Sequence, residues 1–508
     1  MSTVVLGRNT NQALGIGQFA VDFLAGTLGS GPSASVLERT RMFHTDALLC
    51  GASALALQTN APCLLRSEAI SYPDESGAFV FGSSVRVKSE KAVVANSSAV
   101  REWDSNGTNF GYNPSLGHVA GEFGHNDYYP VVIAACQEKG LDGATALRAM
   151  VLVDEIRGRL AEVFSLKTYK IDHVVHGAIA SAAVYVALHG GTAEQAESAI
   201  GMFVAHYIPW RAIRAGKQLS DSKGASAAIS AEAGVLCAKR ALNGFVGPKD
   251  IFRNPESMFR QSEPTDGSSP FDLHLSHSGD DFAVMGMHFK LGLYEHQSAG
   301  ALQGALDLLV SSPGFVENVK SIVVKAYEPA FGIIGDPAKR DPHTRQSADH
   351  SMVYIVSTLL RKASELGATG STDDLWKALM LAPVDYGKDA LVNPATRALM
   401  EKISFEHGGA EYDAKYPDGI PTSMVVTLND GTTLDSGFVM YPGGHARNTT
   451  ADLGSILEHK WNLLGSLALA DGSDVAANVG RLNSIGSMSS AQLMDIYQMD
   501  LASREAVD

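Results

Sequence analysis

Three stretches dominate the first half of the 508-residue chain: TALRAMVLVDEIRGRLAEVF (145–164), HGAIASAAVYVALHG (176–190) and GASAAISAEAGVLCAKRAL (224–242). Each is of helical length, rich in Ala, Leu and Val, and carries small residues at three- and four-residue spacing. That spacing puts the small residues on one helix face and lets helices approach closely. Gly190 and Gly191 supply a stop after the second stretch. The expectation is a large, packed, all-helical domain.

The pattern changes near residue 252. FRNPESMFRQSEPTDGSSPFD (252–272) is a Pro-, Ser- and Gly-rich connector. Strand-like runs follow: AVMGMHFKLGLY (283–294), KSIVVKAY (320–327), and the pair SMVVTL (423–428) and LDSGFVMYP (434–442). The last two flank Asn429-Asp430-Gly431, residues that tolerate the positive φ of a tight hairpin turn. HSMVYIVSTLLRKASEL and DLWKALMLAPV between them have helical character, and ILEHKWNLLGSLAL (456–469) returns to helix. The fold class expected is mostly α, with a smaller α+β unit (283–450) inserted between a helical first part (1–282) and a helical return (451–508).

Forty basic and 55 acidic residues give a net charge of −15, with 45% hydrophobic and 19% charged residues. This excess of acid argues against nucleic acid or an anionic membrane as the main partner. Four dispersed cysteines, Cys50, Cys63, Cys136 and Cys237, offer no CxxC or iron–sulfur spacing. The N-terminus has neither a signal-peptide nor a transit-peptide pattern, and no apolar run approaches the ~18 residues of a span. A cytoplasmic protein is expected.

In GEFGHNDYYPVVIAAC (121–136), Pro130 suits a first helical turn, and Asn126 or Asp127 is a candidate cap. His125 would then stand beside a helix N-terminus, whose field keeps an imidazole neutral and usable as a base. A capping or packing role for His125 fits the same residues. In KIDHVVHGAIASAAVYV, Asp172 is a candidate cap, and His173 and His176 lie three apart. No acidic or cysteine ligand completes a metal site there, so no metal is expected. Lys223, at the start of the helix in QLSDSKGASAAISAEAG, is misplaced for the helix dipole unless an anion lies beside it; a solvated lysine is the plainer alternative. Asp104 and Thr108 in REWDSNGTNFGYN pair a carboxylate with a hydroxyl, or form an ordinary turn. Gathered in one pocket, these groups suit a small di- or tricarboxylate and proton abstraction beside a carboxylate.

These segments resemble the MmgE/PrpD family over roughly 40–465. WDSNGT looks like the family's Asp-to-Thr segment, FGHNDYYPVVIAA its histidine helix start, DHVVHGAIASAAV its second histidine segment and SDSKGASAAISAEAG its lysine segment. KLGLYEHQSAGALQGAL resembles the strand-to-helix passage that carries a further histidine, here His296, and SADHSMVYIV the Ala-Asp-His-Ser…Tyr signature. VMYPGGHAR is similar to the run typical of the 2-methylcitrate dehydratase branch. Two departures stand out: Asn126-Asp127 after the histidine, and Ser105-Asn106-Gly107 between Asp104 and Thr108.

The resemblance implies a cofactor-free homodimeric lyase with its cleft between a helical domain and a lid. The expected activity is dehydration of 2-methylcitrate or a related tricarboxylate. Asp104, His125, His173 and Lys223 take the catalytic places, and Thr108 and His296 the substrate-binding ones. Decarboxylation of an unsaturated tricarboxylate, epimerisation of a dicarboxylate, or an inactive binding homologue are the alternatives.

Overall fold

A computed structural model describes residues 2–214 and 218–507. Its helical part is built from α1 (Gln12–Ala25), α2 (Ala34–Ala56), α3 (Asn60–Ile70), α4 (Ser89–Glu102), α5 (Tyr129–Lys139), α6 (Gly143–Val163), α7 (Val174–Leu188), α8 (Ala193–His206) and α9 (Asp221–Leu242). The three Ala-rich stretches are α6, α7 and α9. α7 is apolar on every side, and almost all of it is buried among α6, α8 and α9. Its contact with α9 is close enough that a Cβ on Gly234 would lie 2.9 Å from the Ala178 carbonyl oxygen. Gly190, at φ +72°, ends α7, and a Thr192/Gln195 capping box starts α8.

A four-stranded sheet has the order Ile403–His407, Val319–Ala326, Thr422–Leu428, Thr433–Asp435. The first pair is parallel and the others antiparallel. Ile322, Val324 and Ala326 alternate inward along the central strand, and the helix Ala299–Ser311 packs on the neighbouring strand Thr422–Leu428. The Asn429-Asp430-Gly431 hairpin forms as the sequence indicates, with Gly431 at φ +91°. Leu453–Ala468 is helical and returns to pack on α2. The chain is thus mostly α with a few small sheets, and no single helix among the described residues is long and apolar enough to cross a membrane.

Two expected strands differ. Residues 283–294 are not a strand: a 3-10 turn, Ala283–Gly286, leads into chain without regular structure. This apolar run crosses the interior and spends its backbone groups on separate neighbours. Phe289 N donates to Gly444 O, Leu293 N to Leu381 O, and Tyr294 N to Asp104 O. Of 434–442, only the start stays in the sheet; Gly437, at φ +68°, turns the chain away before Val439 bridges to Thr422.

Candidate active site

Asp104 follows directly on the end of α4, and Arg101 lies in that helix's last turn, where a cation complements the dipole. The Asp104 carboxylate is fully buried. Arg101 Nη2 lies 3.3 Å from Oδ2, Lys223 Nζ 3.4 Å and His350 Nε2 2.9 Å, while Lys290 Nζ pairs with Oδ1. Burial pushes this carboxyl up, but Arg101, Lys290 and Lys223 outweigh it and hold Asp104 well below the usual carboxylate range. Lys223, in the first turn of α9, also lies 3.7 Å from Asp349. The anions that justify its placement at that helix end belong to the protein itself. Asp104, Asp349 and His350 place three possible metal-ligand atoms within 4.8 Å of one another. Ammonium and guanidinium groups already neutralise that cluster, so it is not assigned as a metal site.

His125 and His173 stand together, ring centroids 5.3 Å apart at 61°. His125 reaches this position from an extended pair, Thr108–Asn109 against Gly124–His125, and not from a helix terminus. Neither expected cap acts on α5: Asp127 accepts from Asn106 Nδ2 and Asn126 donates to the Phe43 carbonyl. Pro130 does lie in the first turn of α5. Burial, then Arg101 and Lys290, push His125 well below the ordinary imidazole pKa, so its ring is neutral. His173 sits at the start of α7, and neither of its ring nitrogens has a hydrogen bond among the described residues. Burial lowers its pKa well below the ordinary value despite Asp172, whose Oδ1 lies 3.5 Å from Nδ1. Asp172 is held by Arg214, Nε to Oδ2 2.5 Å. His176 turns away and its Nε2 meets the Phe164 carbonyl.

Asp104, Thr108, His125, His173 and Lys223, which come from four separate segments, line one cavity with about 630 Å³ of atom-free space, its mouth included. Thr108 contributes less than a free donor would, because its hydroxyl donates to the Gly124 carbonyl at 2.8 Å. His296 is not among the lining residues. It stacks on His288 (5.1 Å, 10°) behind the Phe110 ring, and its neighbours Glu295 and Gln297 face the cavity instead.

Sequence reasoning passed over Arg101, Lys290, Glu295, Asp349 and His350, although all five lie inside segments quoted for the resemblance or beside Asp104. It also missed Arg211, Arg214 and Lys339 on the cavity wall. Among the described residues the wall therefore carries five cationic side chains, Arg101, Arg211, Arg214, Lys223 and Lys339, against two carboxyls, Asp104 and Glu295. In a chain of net charge −15 that is a local reversal of sign. A cavity of this kind binds a small polyanion and can move a proton at a neutral imidazole.

The MmgE/PrpD N-terminal domain matches residues 19–268 and the MmgE/PrpD C-terminal domain residues 294–471. The chain is 24% identical over 437 residues to a protein named probable 2-methylcitrate dehydratase from Saccharomyces cerevisiae, covering 81% of this chain and 78% of that one. It is 24% identical over 457 residues to 2-methylcitrate dehydratase from Cupriavidus necator, covering 80% and 85%. A fungal alkylcitrate dehydratase, phiI, is 24% identical over 308 residues, covering 60% and 58%. The protein belongs to the MmgE/PrpD family.

Proposed function

We propose that the protein is a hydro-lyase that dehydrates 2-methylcitrate or a closely related tricarboxylate, using its own side chains in place of a cofactor. The observation that carries this reading is the five-to-two excess of cations over carboxyls around two neutral imidazoles. The substrate's carboxylates lie against Arg101, Arg211, Arg214, Lys223 and Lys339. His125 or His173 takes the proton from the carbon next to a carboxylate, and the cations hold the charge that develops there. A bound polyanion also places negative charge beside both rings and raises their affinity for that proton. Relatives named for dehydration of 2-methylcitrate and alkylcitrate support the same reaction class.

In this reading the α+β unit, residues 283–450, is a lid. It brings Glu295, Gln297, Lys339 and His350 over a floor supplied by the helical part, and two copies of the chain associate as a homodimer. Product analysis by NMR after incubation with citrate, 2-methylcitrate, isocitrate and cis-aconitate, with chelator present, tests the reaction. Loss of water to give a new C=C is expected. Release of CO2, or solvent deuterium exchange without net change, would replace dehydration with decarboxylation or epimerisation, and abolition by chelator would introduce a metal.

A further inference from the structure

Elimination of water needs an acid as well as a base, because hydroxide is a poor leaving group. We propose that Glu295 is that acid: its carboxyl gives a proton to the departing hydroxyl while an imidazole of the pair His125/His173 accepts the carbon-bound proton. The inference rests on the hydro-lyase reading above. The step balances as C–H and C–O bonds broken, one C=C and one water formed, Glu295 left as carboxylate and one imidazole as imidazolium.

The placement of Glu295 carries the proposal. Its backbone is pinned between the two buried aspartates: Tyr294 N donates to Asp104 O at 3.0 Å and Glu295 N to Asp349 O at 2.9 Å. The side chain lines the cavity shared by both imidazoles, Lys223 and Thr108. Its Oε2 accepts the Gln297 N–H at 2.8 Å, which anchors the carboxyl at the start of the 3-10 turn His296–Ser298, and among the described residues no hydrogen bond is made to Oε1.

Two rival donors on the cavity wall are engaged. Lys223 lies against Asp104 and Asp349, and both nitrogens of His350 face those same carboxylates, at 2.9 and 2.5 Å. Asp104 is held ionised by its cations. Glu295 differs: burial and then Asp104 push its carboxyl up to about 7, against Lys290 and Lys339, so a substantial fraction carries a proton at neutral pH. The phenols of Tyr327 and Tyr416, which also feel its charge, stay neutral there. Neighbouring carboxyls whose surroundings drive their proton affinities apart are the usual way one site holds both an ionised group and an acid.

The test compares the parent, Glu295→Gln and Glu295→Asp on 2-methylcitrate and on the analogue bearing chlorine in place of the departing hydroxyl, since chloride leaves without a proton. For Glu295→Gln we expect kcat on the hydroxy acid to fall about 100-fold or more, with chloride release within about fivefold of the parent. Glu295→Asp, which keeps an acid on a shorter arm, should retain more hydroxyl elimination than Gln. Equal loss on both substrates, or no loss with Gln, or equal loss in Asp and Gln, would overturn the assignment alone. A parent that eliminates neither group would overturn the hydro-lyase reading, and this assignment with it.

Discussion

Asn106 Nδ2 donates to Asp127 Oδ1 at 2.5 Å, both residues being buried. The bond joins the two segments that depart from the family pattern, Ser105-Asn106-Gly107 and Asn126-Asp127, so the departures form one linked change. Gly107 belongs to it, since a Cβ there would come within 2.4 Å of the Phe43 ring. Asp127 in turn lies 3.9 Å from Arg101 Nε and helps to balance the guanidinium beside Asp104. Asn106→Ala and Asp127→Ala should each destabilise the protein by about 2 kcal/mol, because each strands a buried polar partner. The double variant should lose at least about 1 kcal/mol less than the sum. Urea unfolding of the four proteins measures this coupling; strict additivity would mean that the two segments are independent.

Two groups set the alkaline side of the pH profile. Burial draws Lys223 down to about 8, against the opposing pull of Asp349 and Asp104, and Glu295 lies near 7. As pH rises through 7 the acid is lost, and through 8 the cavity loses a positive charge. The free enzyme's kcat/KM should therefore fall in two steps, and Lys223→Arg should remove only the upper one. The signs for stability are opposite. Glu295, raised from 4.5, contributes stability that is present below 4.5 and lost as pH rises through 7. Lys223, lowered from 10.5, makes stability rise with pH between 8 and 10.5, because there the unfolded chain holds the proton that the folded one has released. A single upper step, unmoved in Lys223→Arg, would contradict this account.

The helical half was legible because α6, α7 and α9 are specified by local pattern, and the hairpin because Asn429-Asp430-Gly431 fixes its own turn. His173 and Lys223 were found through their places at helix starts, and both line the cavity. Residues 283–294 were misread since a fully buried irregular run and a buried strand have the same apolar signature. Lys290 and His350 went unselected for a different reason. What makes them part of the site is Asp104, 186 and 246 residues away in sequence, and no periodicity reports a pairing at that distance. Glu295 and His296 are adjacent, and only the fold decides that the carboxyl lines the cavity and the imidazole stacks behind Phe110.

Lys460 shows how the returning helix reaches the site. Its buried Nζ donates to Asp46 Oδ2 of α2 at 2.9 Å, to the Ser105 carbonyl at 2.7 Å and to the Lys290 carbonyl at 2.9 Å. One ammonium thereby ties three chain segments together, two of them adjoining Asp104. Lys460→Met keeps most of the stem but strands the Asp46 carboxylate and two carbonyls. It should destabilise the protein by about 3 kcal/mol, as loss of one partner from a buried ion pair does. Asp46→Asn/Lys460→Met should recover part of that loss. Because Lys460 acts on Lys290 only through the backbone, kcat should fall more than KM rises, which steady-state kinetics on the folded variant can check.

Arg101 fixes the proton on His125. Its Nη2 lies 3.3 Å from His125 Nε2, and a guanidinium can only donate, so Nε2 must accept and the ring proton must sit on Nδ1. Nδ1 itself is buried with no partner among the described residues. The same guanidinium neutralises Asp104, and its positive charge keeps the imidazole from protonating before substrate arrives. Arg101→Met should remove both restraints. The His125 pKa should rise and its Nε2-protonated tautomer should become populated, both visible in two-bond 1H–15N correlation spectra of the ring. Loss of the charge-balancing group should lower kcat/KM by about two orders of magnitude or more, on the scale of one buried charged hydrogen-bond donor in an active site. Arg101→Lys supplies a charge without the planar fork, so it should restore neutrality near Asp104 more fully than it restores the Nδ1 tautomer. Unchanged tautomer populations in Arg101→Met would mean that some other group orients the ring.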